Sequence, residues 1–150
     1  MNPDQIHLVR SSWVKLAERA ELVTSRFYDH LFVIDGSAAR VFAGVDMAAQ
    51  RLKLAQTLGV VVNALDNFDR LMPAIAALGK RHTGYGVEAH HFESVGEALL
   101  HAFSDTLGDE FTPETRAAWT VAYTLVASVM QRALTRSAGS TTAPPEPAGC

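Results

Sequence analysis

Cysteine is nearly missing from this chain: the single one among 150 residues is Cys150. An intrachain disulfide is therefore excluded, and a thiolate metal centre is not expected. A strong charge of either sign is lacking as well. Lys and Arg number 13 against 16 Asp and Glu, a net charge of -3. That balance offers no basic footprint for nucleic acid and no polybasic patch for a membrane surface. No apolar run reaches the length of a membrane span, no alternating strand pattern runs through the chain, and no internal repeat occurs. GxGxxG is absent, so a flavin or nicotinamide module is not expected. Met1-Asn2-Pro3-Asp4 opens a charged amphipathic helix instead of a secretory leader, which points to the cytoplasm.

A composition 48% hydrophobic and 19% charged suits one domain that buries roughly 70% of its unfolded surface. The apolar residues recur with the helical period. Asn2 and Pro3 form a helix start, followed by Ile6, Val9, Trp13 and Leu16 on one face. Val23, Phe27 and Leu31 line the next helix, and Asp35-Gly36-Ser37 breaks it. A short segment ends at Val41-Phe42, and Asp46 closes a loop and caps a helix expected from about residue 47 to 65. Val60-Val61-Val62 could locally be a strand, but the period of Leu54, Leu58, Val61 and Leu65 favours helix. Pro73 is placed in the first turn of the following helix, where a missing N–H costs least. That helix ends at His82, before Gly84-Tyr85-Gly86. A long helix follows with Phe92, Val95, Leu99, Phe103 and Leu107, stopped by Gly108. Thr112-Pro113-Glu114 restarts the chain into a last helix with Trp119, Tyr123, Val126 and Met130 inward. The expectation is an all-α domain of six to seven helices over residues 1–136, with a disordered tail over 137–150 rich in Pro, Ser and Thr.

An all-α domain of this size can hold a cofactor between facing helices. Few residues suit one. His82 ends its helix; taken alone, it reads first as a helix-capping histidine and only second as a metal or haem ligand. Gln50 and Leu54 share a helix face, Tyr28 follows Phe27 in an inward-facing segment, and Phe42 ends the short segment between them. His90-His91 has the look of a metal pair, but adjacent helical residues point about 100° apart. These two, with His7, His30 and His101, are read as surface or core histidines.

Several runs then resemble one family. They are Phe27-Tyr28-Asp29-His30-Leu31-Phe32, Phe42, Gln50 with Leu54, Leu78-Gly79-Lys80-Arg81-His82, Tyr85-Gly86-Val87, the stretch from His91 to Leu100, and Trp119 with Tyr123. In order and spacing they resemble the globins, specifically the single-domain bacterial haemoglobins related to the haem domain of flavohaemoglobins. The resemblance implies a globin fold around haem b, with His82 as the iron ligand, oriented through the carbonyl of Leu78. It implies Phe42 stacked on the haem, Tyr28 and Gln50 as neutral distal donors to a bound diatomic ligand, and Leu54 as an apolar wall. Lys53 and Arg81 become candidates for the haem carboxylates, and Val87, Phe92 and Tyr123 complete the cofactor-binding set. The implied function is reversible binding of dioxygen with high affinity, and of nitric oxide and carbon monoxide. The alternatives are nitric oxide dioxygenation or nitrite reduction with an external reductase, or a haem-based gas sensor or interaction module.

The chain departs from the family at three places. Phe92 and Leu134 stand where flavohaemoglobins carry a tyrosine and a glutamate that polarise the iron-bound histidine, and Gly36 replaces a helix-starting proline. Without the carboxylate the imidazole pushes less electron density to iron, which favours reversible binding over oxidative catalysis.

Overall fold

The computed structural model describes the backbone of residues 1–83 and 89–139 and the side chains of residues 1–77 and 90–132. Helix starts follow from their caps. The side-chain oxygen of Asn2 accepts from Gln5 N at 2.8 Å, and that of Gln5 accepts from Asn2 N at 3.1 Å. This reciprocal pair opens α1 (Pro3–Ala17), with proline where no N–H is needed. Asp35 ends α2 (Ala20–Ile34) and caps α3 (Gly36–Val41) by accepting from Ser37 N at 3.0 Å. Asp46 accepts from Ala48 N and Ala49 N at the start of α4 (Met47–Asn63). A single 3₁₀ turn, Leu65–Asn67, leads into α5 (Phe68–Thr83), and α6 (Ala89–Leu107) comes next. Gly108, at φ +58°, lets the chain leave α6 in the left-handed region. Thr112 Oγ1 accepts from Thr115 N at 3.1 Å to open α7 (Pro113–Gly139).

Three boundaries differ from expectation. Pro73 lies inside α5, which starts at Phe68 instead of near the proline. One helical hydrogen bond is forgone there, but the earlier start lets Phe68, Leu71 and Met72 pack with buried Ile75 against α6 and α7. The Val60-Val61-Val62 run is helical, with Val60 exposed and Val62 buried, and α4 stops two residues short of Leu65. α7 extends to Gly139, past the expected start of the tail at Ser137, and residues 140–150 lie outside the described residues.

The core has two parts. Val9 and Leu16 of α1, Val23, Phe27 and Leu31 of α2, and Phe103 and Trp119 of α6 and α7 form the larger one. Ile75, Phe92, Ala127, Val129 and Met130 form the smaller one between α5, α6 and α7. Tyr123 packs against both. Polar ties hold the helices in place. Trp119 Nε1 donates to Ser12 Oγ at 2.8 Å, joining α7 to α1 inside the core. Arg10 donates to the carbonyl oxygens of Val62 and Asn63, placing its positive charge at the negative end of α4. Among the described residues, no helix is long and apolar enough to cross a membrane.

The α2–α6 contact carries a pH-sensitive tie. His30 Nε2 lies 2.6 Å from Asp105 Oδ2, and Arg26 lies 3.6 Å from the same oxygen. The His30 hydrogen bond, with these positive neighbours, holds the Asp105 carboxyl below its ordinary pKa. A depressed carboxylate stabilises the fold above its unfolded pKa of about 3.9, and that contribution is lost as pH falls through the folded value. Asp105→Asn is therefore expected to be less stable than wild type at pH 7. The deficit should shrink as pH drops below about 4. Urea unfolding across this range checks it; a deficit that persists unchanged in acid would point to lost packing instead.

Candidate functional site

A cavity of about 600 Å³ opens between the end of α3, the start of α4, the start of α6 and the middle of α7. α3 is short, and Ala43, Val45 and Asp46 of the loop that joins it to α4 are part of the lining. Ala49, Gln50 and Lys53 line it from one face of α4, and Val41 and Phe42 from the end of α3. Phe92 and Val95 of α6, with Val126 and Met130 of α7, make the opposite wall. The lining is largely apolar. Its polar groups are few: Asp46, Gln50, Lys53, His91 and Tyr123.

The aromatic residues give the cavity a stiff edge. Phe42 stands edge-on to Tyr28, with ring centroids 5.3 Å apart, and also touches Phe32. Tyr28 is buried and packs edge-on against Phe27 as well. Such pairs fix ring orientation beyond what burial alone does. Tyr123 donates its hydroxyl to the Phe92 carbonyl at 2.6 Å. Burial pushes its phenol pKa well above the ordinary value, so it stays a neutral donor.

Five of the expected site residues line this cavity: Phe42, Gln50, Lys53, Phe92 and Tyr123. Tyr28 packs edge-on against Phe42, and half-buried Leu54 packs into the larger core; neither is part of the lining. The backbone of Leu78, Arg81 and His82 belongs to the last turns of α5, but their side chains lie outside the described residues, as do Val87 and the side chain of Leu134.

Residues 25–130 match the globin family. The chain belongs to the globin family. It is similar to the flavohemoprotein of Bacillus subtilis (strain 168), 30% identical over 81% of this chain and 31% of that protein. Similarity to the flavohemoprotein of Rhodopirellula baltica is of the same order, 31% identical over 83% of this chain and 31% of that protein. The chain thus spans about a third of the length of these relatives. Among solved structures, a hexacoordinated heme protein from an anhydrobiotic tardigrade superposes with a TM-score of 0.78 at 16% identity, covering 90% of this chain and 96% of that one. At that identity the likeness speaks to fold alone, and it agrees with the seven α-helices among the described residues.

One grouping in this globin escapes a reading by helical spacing. His90 and His91 do not diverge: their ring centroids are 4.2 Å apart, and both Nε2 atoms face Asp35 and Ser37 at the α2–α3 junction. Adjacent Cβ atoms do leave a helix in different directions, but an imidazole is long enough to swing back onto a common partner. The partner lies more than fifty residues away, so spacing within α6 could not reveal it.

Gly96 on α6 provides a test of how tightly the cavity wall is packed. A Cβ at this position would lie 2.8 Å from Tyr123 Cε2. The ring has little room to retreat, because its hydroxyl is held by Phe92. Gly96→Ala gains up to about 1 kcal/mol of helix propensity but should lose about 1–3 kcal/mol to overpacking. The expected net result is a protein of lower Tm with a disturbed cavity wall. A Tm equal to or above wild type would show that Tyr123 yields freely.

Proposed function

We propose that this globin holds haem b in the cavity between α3, α4, α6 and α7, binds diatomic gases there, and turns over nitric oxide to nitrate with electrons from a separate reductase. The observation that carries the reading is its likeness to two flavohemoproteins over about a third of their length, the part matching the globin family. The residues present suit the group. The cavity falls within the size of about 300–1,000 Å³ usual for cofactors, and its lining is largely apolar. Phe42 offers a braced ring for stacking, and Lys53 an ammonium for a haem carboxylate. His82, beside the last residue of α5, is the residue assigned to the iron.

Haem, when bound, supplies iron as the site of gas binding. The chain's own residues shape the surroundings of the bound gas. The Gln50 amide is a neutral donor in the cavity wall, and Tyr28 braces Phe42 through an edge-on ring contact. Turnover joins one dioxygen to one nitric oxide, takes up one electron and releases nitrate, so each cycle needs a reductant. A flavoprotein reductase is a partner of the kind that would supply that electron.

The test is nitric oxide consumption in air with a flavoprotein reductase and reduced nicotinamide. Many nitrate molecules per haem support the reading. A stable gas complex with no more than one turnover would overturn the dioxygenase assignment and leave reversible binding of dioxygen. That second reading is favoured by Phe92, whose side chain brings no hydroxyl to the cavity. A colourless protein that ignores added haem would sink both.

A further inference from the structure

We propose that Asp35, His90 and His91 form a site for a divalent transition-metal ion, best suited to zinc, at the rim of the cavity, where His91 is part of the lining. The proposal rests on the reading that assigns the haem iron to His82 and leaves His91 free of it, since His91 also lines the cavity. Three donor atoms converge: Asp35 Oδ2 lies 3.3 Å from His90 Nε2 and 4.0 Å from His91 Nε2, and all three lie within 4.8 Å of one another. In tetrahedral zinc with bonds of about 2.0–2.1 Å, ligand atoms stand about 3.3 Å apart. One edge already has that length, and the others need only small side-chain rotations. One carboxylate and two neutral imidazoles are a borderline donor set that prefers zinc and its neighbours to magnesium or calcium.

The carboxylate is held in place before any ion arrives. Asp35 Oδ1 accepts from Ser37 N at 3.0 Å and from Ser37 Oγ at 2.5 Å, and Asp35 Oδ2 accepts from Ser94 Oγ at 3.1 Å. Outer partners of this kind orient ligands and raise affinity. Ser37 Oγ also lies 3.2 Å from His90 Nε2 and 3.0 Å from His91 Nε2, close enough to serve as a further oxygen donor. Asp35 and His91 are nearly enclosed, whereas His90 is half exposed and leaves an entry path. The ion would clip α3 to the start of α6, two elements that both line the cavity.

Calorimetric titration of the chelator-treated full chain with zinc sulfate tests this. The expected result is one zinc per chain at this site, with affinity falling at least about 10-fold in His90→Ala and in Asp35→Asn. Binding should be unchanged in the doubly substituted His30→Ala, His101→Ala protein, which removes a stacked histidine pair elsewhere on α2 and α6. His90 is exposed, so its loss should leave the far-ultraviolet circular dichroism intact. Absence of zinc binding would overturn the proposal. So would binding that survives both His90→Ala and Asp35→Asn, or that disappears with His30 and His101.

Discussion

Replacing Trp119 by alanine should cost about 3–5 kcal/mol of unfolding free energy, a large part of the roughly 5–15 kcal/mol typical of a whole domain. The side chain is 6% exposed at the centre of the larger core. Its ring lies 4.6 Å from Phe103 and meets Trp13 edge-on at 6.4 Å, so truncation opens a void bordered by α1, α6 and α7. The same substitution removes the indole N–H that donates to the Ser12 hydroxyl, which itself donates to the carbonyl oxygens of Leu8 and Val9. Packing and polar contributions can be separated. Ser12→Ala leaves the indole N–H buried without its acceptor, at about 1–3 kcal/mol. Trp119→Phe leaves Ser12 still bonded to its own helix and should cost less than Trp119→Ala. Equilibrium unfolding in guanidinium measures all three, and a double-mutant cycle gives the coupling. A loss below about 1 kcal/mol in Trp119→Ala would mean that α1 and α7 close over the gap. Tyr123 is one turn further along α7, so the cavity itself should keep its lining.

The helices were legible because local rules and tertiary packing agree. Asn2, Asp46 and Thr112 open the helices they were expected to open, Gly108 ends α6, and Asp35, read only as a break, also caps α3. Pro73 shows where a local rule loses. A proline prefers the first turn, but the apolar residues preceding it bury enough surface to carry the helix back to Phe68. The site was legible in part. Phe42, Gln50, Lys53, Phe92 and Tyr123 meet around one cavity because helical spacing fixes their faces. Tyr28 is not part of the lining but packs edge-on against Phe42, which is, a contact that spacing within either segment does not encode. The Asp35–His90–His91 grouping depends on bringing the α2–α3 junction against the start of α6, and on side-chain rotamers that no spacing rule encodes. Tyr123 and Phe92 illustrate the same limit. Their side chains were placed at the cavity, but the bond from phenol to backbone carbonyl arises only once α7 crosses α6.

His82→Ala should remove haem retention, with affinity falling by more than the roughly 10–100-fold that losing a mere outer partner of a ligand costs. The cavity poses a sharp alternative, because His91 lines it directly and is also an imidazole. Two arguments favour His82. His91 Nε2 is already engaged at Ser37 Oγ, 3.0 Å away, and faces Asp35. Freeing it for iron would break that contact. His82 lies on α5, which packs along α7 beside the cavity's α7 wall. Absorption spectra of the ferric and ferrous protein read the axial ligand, and transfer of haem to a scavenging apoprotein reads its retention. The expected pattern is loss of the imidazole signature and rapid haem transfer in His82→Ala. Free imidazole should restore the signature in part, because it can occupy the space left by the side chain. A structural role for His82 would not be rescued in this way. If His82→Ala kept the wild-type spectrum while His91→Gln lost it, the iron would belong to α6. The Asp35 grouping would then be part of the haem site and not a separate one.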